Sequence, residues 1–198
     1  MNEETREAVM AATHRALCTH GFADLTTQRI ADEWEKSKAA LHYHYDTKEE
    51  LLRTFLDHLL AKFESRLACE SADPRVRLDA FVDAVFAPVE ADDDSREFAV
   101  ALLEIKAQAP YSETYRDRLA ALDERMRETV AGAVRDGIEA GHFGDADPDD
   151  VARFVVTAIN GAHVREVALD ESPSEARRLI EGYLDDALGR DPATEVPA

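Results

Sequence analysis

Apolar residues recur at spacings of three and four along almost the whole chain, and no stretch alternates apolar and polar positions as a half-buried strand would. A first helix, 3–20, carries Val9, Ala12, Ala16 and Leu17 on one side and stops at Gly21, a residue suited to the position after a helix. Two short helices follow, then a long one over 48–70 with Leu52, Phe55, Leu59, Phe63 and Leu67 in one stripe. Asp73-Pro74 restarts the chain into a helix bearing Val76, Ala80, Phe81, Ala84 and Val85, broken by Pro88 and the run Asp92-Asp93-Asp94. Helices over 96–108 and 112–140 come next, the second with Tyr115, Leu119, Met126, Val130 and Val134 inward and Gly141 and Gly144 at its end. Asp147-Pro148 and Ser172-Pro173 open the last two, which reach 169 and 188, and the tail 191–198 is expected to fray. The pattern predicts an all-α fold of nine helices. Nothing repeats at the period of a solenoid.

The densest local signals lie in residues 26–52, TTQRIADEWEKSKAALHYHYDTKEELL. Thr26 or Thr27 suits the cap of a helix with Ile30, Ala31 and Trp34 on one face. Ser37 suits the cap of a second, 38–43, and Asp46 or Thr47 that of the long helix. Thr47 with Glu50 fits a capping box, in which hydroxyl and carboxylate each satisfy a backbone N–H left open at the helix start. Helix, short turn, helix is the geometry that lays a second helix in the DNA major groove. The segment therefore reads as a DNA-binding head with Lys38, His42, Tyr43, His44 and Lys48 as its contact cluster. Lysine and tyrosine donate to phosphate oxygens, and the helix start at Lys48 offers backbone N–H groups to the same anion. Thr27 and Gln28 open the preceding helix, in reach of the DNA backbone or a base. Ala39 and Ala40 have no hydrogen-bonding side chain, which leaves apolar contact, for instance with thymine methyls, as their means of direct readout.

In order along 11–52, Ala16, Gly21-Phe22, Thr26-Thr27, Ile30-Ala31, Ser37, Leu41, Tyr43-His44-Tyr45 and Lys48-Glu49-Glu50-Leu51 resemble the N-terminal domain of the TetR family of transcriptional regulators. The stretch GHFGDADPDDVARFVVTAING resembles, more loosely, that family's junction of seventh and eighth helices. The resemblance implies a three-helix helix-turn-helix head over 1–47 and a six-helix ligand-binding and dimerisation body over 48–190, with a corner at 45–48. It implies that Lys38, Ala39 and Ala40 face base edges while Tyr43, His44 and Lys48 hold phosphates. The chain departs from the family at Glu35-Lys36, where the turn has Gly-Val, and at His42, where the family has Tyr. A turn position with φ > 0 disfavours Glu. Losing the Tyr removes one expected phosphate contact.

The function so implied is that of a ligand-responsive, DNA-binding transcriptional regulator, a repressor that binds a near-palindromic operator as a homodimer. Its expected partners are double-stranded DNA, a second copy of itself and a small-molecule inducer. The last two helices would pair with their copies through Val151, Phe154, Val155, Ala158 and Ala162 together with Leu179, Ile180, Tyr183 and Leu184. The family encloses an inducer among the body helices, which makes Phe55, His58, Leu59, Phe63, Phe81, Leu102, Gln108, Met126, Asn160 and His163 the candidate ligand contacts. Helical spacing equally describes plain core at each apolar one of these positions. The alternative is a helical protein-interaction module with weak or lost DNA binding, motivated by the Glu35-Lys36 turn and by acidity.

That acidity is large: the net charge is −19, and a duplex is itself a polyanion. Distribution answers the objection in part. Over 26–48, Arg29, Lys36, Lys38 and Lys48 balance Asp32, Glu33, Glu35 and Asp46, so the head's reading segment is neutral and the remainder carries the whole excess. Acidic residues in excess, with Arg far above Lys, suit a protein of a salt-loving organism, whose carboxylates stay hydrated while counterions screen them. No apolar run is long enough to span a membrane, and the polar N-terminus MNEETREAVM is unlike a secretory signal. Cys18 and Cys69 lack metal-ligand spacing and suit a reducing cytoplasm.

Chemistry beyond binding finds little support. His42 and His44 lie about 200° apart around a helix, and the other histidines form no i, i+4 pair, so no metal site is expected. The acidic run 145–150 starts like a calcium loop but has Asp150 where the sixth position requires Gly, and reads instead as a loop with a helix cap. No nucleophile elbow, P-loop, dinucleotide fingerprint or HExxH is present, so neither an enzyme nor a cofactor is expected.

Overall fold

The computed structural model describes residues 2–67, 69, 71–87 and 95–190, without the side chains of Phe63, Arg66, Leu67 and residues 95–98. Among these it is all-helical, with α1 Glu3–His20, α2 Thr27–Glu33, α3 Lys38–His42, α4 Lys48–Leu67, α5 Pro74–Phe86, α6 Ser95–Gln108, α7 Glu113–Glu139, α8 Pro148–Leu169 and α9 Pro173–Leu188. The expected breaks at Pro88 and at 92–94, and the tail 191–198, lie outside the described residues.

Helix starts are set by side chains that accept from otherwise open backbone N–H groups. Thr26 caps α2 through Arg29 N–H, Ser37 caps α3 through Ala40 N–H, and Asp147 caps α8 through the N–H groups of Asp149 and Asp150. Asp73 caps α5 ahead of Pro74, and its hydrogen bonds with Arg75 hold its carboxyl at about 2. The capping box at α4 is half as expected. Thr47 accepts from Glu50 N–H at 3.1 Å, but the Glu50 carboxylate reaches one residue further back and accepts from Asp46 N–H at 2.9 Å.

The chain packs as two compact units, Met1–Phe63 with Pro88–Ala121, and Glu64–Ala87 with Leu122–Ala198. In unit 1, α1 packs on α2 and α6, and α2 on α3. Its core gathers Val9, Leu17, Ile30, Leu41, Leu51 and Phe55 with Ala101, Ile105 and Tyr115. Leu41 and Tyr45 sit four apart in that core, so α3 is anchored from one side and presents its other side outward. In unit 2, α9 packs on α8 and α5, and the buried residues include Leu78, Phe81, Val85, Val130, Val134, Val155, Ile159, Ile180 and Leu184. Val76, expected on the inner face of α5, is 49% exposed; Leu78 and Val82 complete that face instead. Gly137 in α7 admits the Phe143 ring, whose nearest carbon lies 2.1 Å from where a Cβ would stand.

Candidate nucleic-acid interface

Between α2 and α3 the chain turns over residues 34–37. Trp34 N–H bonds Ile30 O at 3.0 Å, Glu35 N–H bonds Asp32 O at 3.1 Å and Lys36 N–H bonds Ala31 O at 3.2 Å. Glu35 is the residue that turns the corner, with φ 57. The position that the sequence marks as disfavouring Glu is thus in the left-handed region, where an L side chain costs about 1–2 kcal/mol. Beyond the turn, burial of Leu41 leaves Lys38, Ala39 and His42 exposed on α3. Tyr43 follows, 85% exposed, with its ring edge-on to His44 at 5.0 Å. His44 is half-buried, 6.3 Å from the Trp34 ring, and Ala40 is half-buried with its N–H bound to Ser37.

The structure therefore brings Lys38, Ala39, His42 and Tyr43 together on one outward face, with exposed Lys36 beside them. Lys36 was absent from the contact cluster although it lies in the same charge-balanced segment. Gln28 is exposed at the start of α2, but its side-chain amide donates to Asp32 at 2.7 Å; Thr27 is half-buried. Three further cations, Arg15, Arg29 and Lys48, are turned to backbone carbonyls. Arg15 donates to Glu33 O at 2.8 Å and Arg29 to Asp24 O at 2.5 Å. Lys48 donates to Leu25 O at 2.8 Å and to Phe22 O at 3.4 Å, and lies 4.9 Å from the centre of the Phe22 ring. Burial pushes its ammonium below the usual lysine range. In this conformation Lys48 faces the corner between α1 and α2, so a phosphate contact would require it to leave both carbonyls.

Comparison with known proteins fits this geometry. Residues 9–54 match the family described as bacterial regulatory proteins of the tetR family, and residues 74–189 match the BetI-type transcriptional repressor C-terminal family. The chain belongs to the TetR family of transcriptional regulators. A TetR transcription regulator from Haloarcula marismortui is 42% identical, with a TM-score of 0.88 over 94% of this chain and 100% of that one. The HTH-type transcriptional regulator BetI of Agrobacterium fabrum is 27% identical over 189 residues, 91% of this chain and 86% of that protein. A regulator from Saccharomonospora viridis, solved in complex with choline, shares the fold at a TM-score of 0.83 and 22% identity, over 94% of this chain and 98% of that one. The all-helical fold and the role of a ligand-responsive DNA-binding regulator follow from this membership.

In this TetR-family chain the candidate ligand residues divide between the units. Phe55, His58, Leu59, Leu102 and Gln108 belong to unit 1, and Phe81, Met126, Asn160 and His163 to unit 2; the Phe63 side chain lies outside the described residues. Phe55, Phe81 and Met126 are buried core. Burial also lowers the pKa of His58, with Lys62 and Arg6 adding to it. Asn160 is occupied, donating to Asp123 at 3.3 Å and to Val156 O at 3.1 Å, and His163 stands 6.4 Å from the Phe86 ring.

Burial within the protomer divides the expected seam residues. Val151, Val155, Ala162, Ile180 and Leu184 are buried inside unit 2 and offer a partner no surface. A helical stripe has a width, and its centre is taken by the protomer's own core. Its flank remains outward: Phe154 is 50% and Leu179 61% exposed, Ala158 and Tyr183 are half-buried, and the Phe154 and Tyr183 rings stack at 4.0 Å. Among the described residues no three His, Cys, Asp or Glu side chains gather as a metal site, and no helix is long and apolar enough to cross a membrane.

Proposed function

We propose that the protein is a repressor that acts as a homodimer in the cytoplasm, each head over 1–47 reading one half of a near-palindromic operator. The observation that carries this reading is the outward face Lys38, Ala39, His42 and Tyr43, anchored from behind by buried Leu41 and Tyr45. Tyr43 and Lys38 suit phosphate and base-edge donation, and Ala39 suits a thymine methyl. The outward flank of α8 and α9, Phe154, Ala158, Leu179 and Tyr183, supports pairing of the body over 48–190 with a second copy.

The effector we infer is a small molecule held by the body, and choline is the first to try. The support is the BetI-type match over 74–189 and the choline bound in a neighbour of the same fold. A quaternary ammonium is bound through aromatic faces, which makes the body's aromatic side chains the first to test by substitution. The test is selection of genomic fragments bound by the full chain over a potassium chloride series, followed by choline titration of the complex. The expected result is one recurrent near-palindrome, released by choline. The excess of carboxylates, together with the Haloarcula relative, supports a salt-tolerant protein that keeps operator affinity as salt rises. Binding to all fragments alike, or none, would remove the operator reading; a specific operator indifferent to choline would remove choline alone.

A further inference from the structure

We propose that the peptide backbone of Phe22, gripped by Glu104 of α6 and Lys48 of α4, is the joint that fixes the DNA-reading head in register, with Glu104 and Lys48 as positioning residues for operator recognition. The Phe22 N–H donates to Glu104 Oε2 at 2.5 Å, and the Phe22 carbonyl accepts from Lys48 Nζ at 3.4 Å. A carboxylate and an ammonium from two different helices thus hold the two polar groups of one residue. Lys48 also donates to the Leu25 carbonyl at 2.8 Å, and the Phe22 ring meets both the Lys48 ammonium, at 4.9 Å, and the Tyr115 ring, edge-on at 6.3 Å. The site is shaped for the carboxylate: Gly21 has φ +68, and a Cβ there would stand 3.0 Å from Glu104 Oε2.

Closure of the corner does not require these charges. Gly21 N–H already bonds Leu17 O at 2.8 Å, Leu25 N–H bonds Phe22 O at 3.3 Å, and Thr26 caps α2. The apolar core beneath holds α1, α2 and α3 together without them. Drawing charged groups from water is costly unless their bonds are good, and bonds of this kind are among the stronger and more directional in proteins. What they add is position. Glu104 ties the corner, 82 residues away in sequence, to α6. Leu102 and Gln108, candidate effector contacts, sit on that same helix. A shift of α6 would therefore be delivered to the head through Glu104.

The inference rests on the operator reading above, and the experiment separates the two. Full-length wild type, Glu104→Ala, Glu104→Gln and Lys48→Met are compared on the selected operator and on versions with one base pair added or removed between half-sites. Wild type is expected to prefer native spacing. Glu104→Ala and Lys48→Met are expected to lose that preference by about tenfold, the worth of one charge-assisted hydrogen bond. Glu104→Gln should retain most of it, because its amide oxygen still accepts from Phe22 N–H. A purely stabilising role, or a phosphate contact at Lys48, would lower affinity equally for all spacings and leave the preference intact; that result overturns the joint. Should Glu104→Ala not fold, Lys48→Met gives the same reading. Wild type that selects no operator would end the operator reading and the joint together.

Discussion

Charged side chains do partly different work in unit 1 and unit 2: both pair side chain to side chain across elements, as Arg118 with Asp57 and Arg15 with Glu33 in unit 1, but unit 1 adds bonds from charged groups to the backbone. In unit 1, Arg15, Arg29, Lys48 and Glu104 bond to backbone groups at Glu33, Asp24, Leu25 and Phe22. In unit 2 the bridges join side chain to side chain: Arg77 to Asp136 at 2.6 Å, Arg177 to Asp83 at 2.5 Å, and Arg190 to Asp79 at 2.9 Å. A bond to backbone fixes where the main chain runs, whereas an exposed pair of long side chains contributes about 0–1 kcal/mol and yields to salt. A reading head must hold its helices to a fraction of an ångström against a rigid duplex. A body that carries most of a −19 charge gains more from paired carboxylates and an apolar interior.

The sharpest way to break this contrast is within unit 2. Ile180→Ala, in the buried core, should cost about 2–5 kcal/mol, measured by denaturant unfolding. Leu179→Asp, one residue earlier and outward, should leave the protomer folded yet raise the dimer dissociation constant about 100-fold or more, because the charge would be buried unpaired in the seam. Sedimentation that finds Leu179→Asp still dimeric at wild-type dilution would move the seam elsewhere.

The two glycines inside α7 sharpen the comparison next. A helical Gly→Ala normally gains about 0.8–1 kcal/mol, and Gly132, with no atom of the described residues within 4 Å of a Cβ, should show that gain. Gly137→Ala should instead cost about 1–3 kcal/mol by overpacking the Phe143 ring. Equal thermal shifts of the same sign in both variants would mean that Phe143 does not pack there.

A smaller effect is expected in the core of unit 1. The Tyr45 hydroxyl is buried without a hydrogen-bond partner among the described residues, and burial raises its pKa. Tyr45→Phe removes an unsatisfied polar group from a site that keeps its shape, and should stabilise by about 1 kcal/mol. A loss of stability on unfolding would show that the hydroxyl has a partner.

How far these features were legible depended on how local their cause is. Helix starts followed from residues within three positions of each other: Ser37 caps α3 as expected, Thr26 rather than Thr27 caps α2, and α5, α8 and α9 start at the expected Asp73-Pro74, Asp147-Pro148 and Ser172-Pro173 pairs. The outward face of α3 became visible only in the fold, where Leu41 and Tyr45 are both buried. The role of Lys48 was not legible, because nothing nearby in sequence announces that the Phe22 and Leu25 carbonyls will meet it. Glu104 was invisible for the same reason, being one carboxylate among 42 acidic residues. On α8 and α9 periodicity located the apolar stripe but not which part of its width the protomer itself would cover.

The smallest prediction concerns Glu35, where two effects are separable. With φ 57 the residue is strained, and it adds a negative charge to an exposed turn beside the proposed DNA-reading face. Glu35→Gly relieves a strain of about 1–2 kcal/mol against an entropic cost of about 0.5–1 kcal/mol for Gly, a net gain near 0.5 kcal/mol. Glu35→Asn should gain comparably, since Asn tolerates the left-handed region, while Glu35→Gln should gain nothing. Operator affinity should follow a different order. All three substitutions remove one negative charge from a surface that meets a polyanion, so all three should bind more tightly by a similar small factor, less at high salt. Thermal unfolding separates Gly and Asn from Gln, and titration of the operator groups the three together. If affinity rose only in the two variants that gained stability, the turn's conformation rather than its charge would be what limits DNA binding.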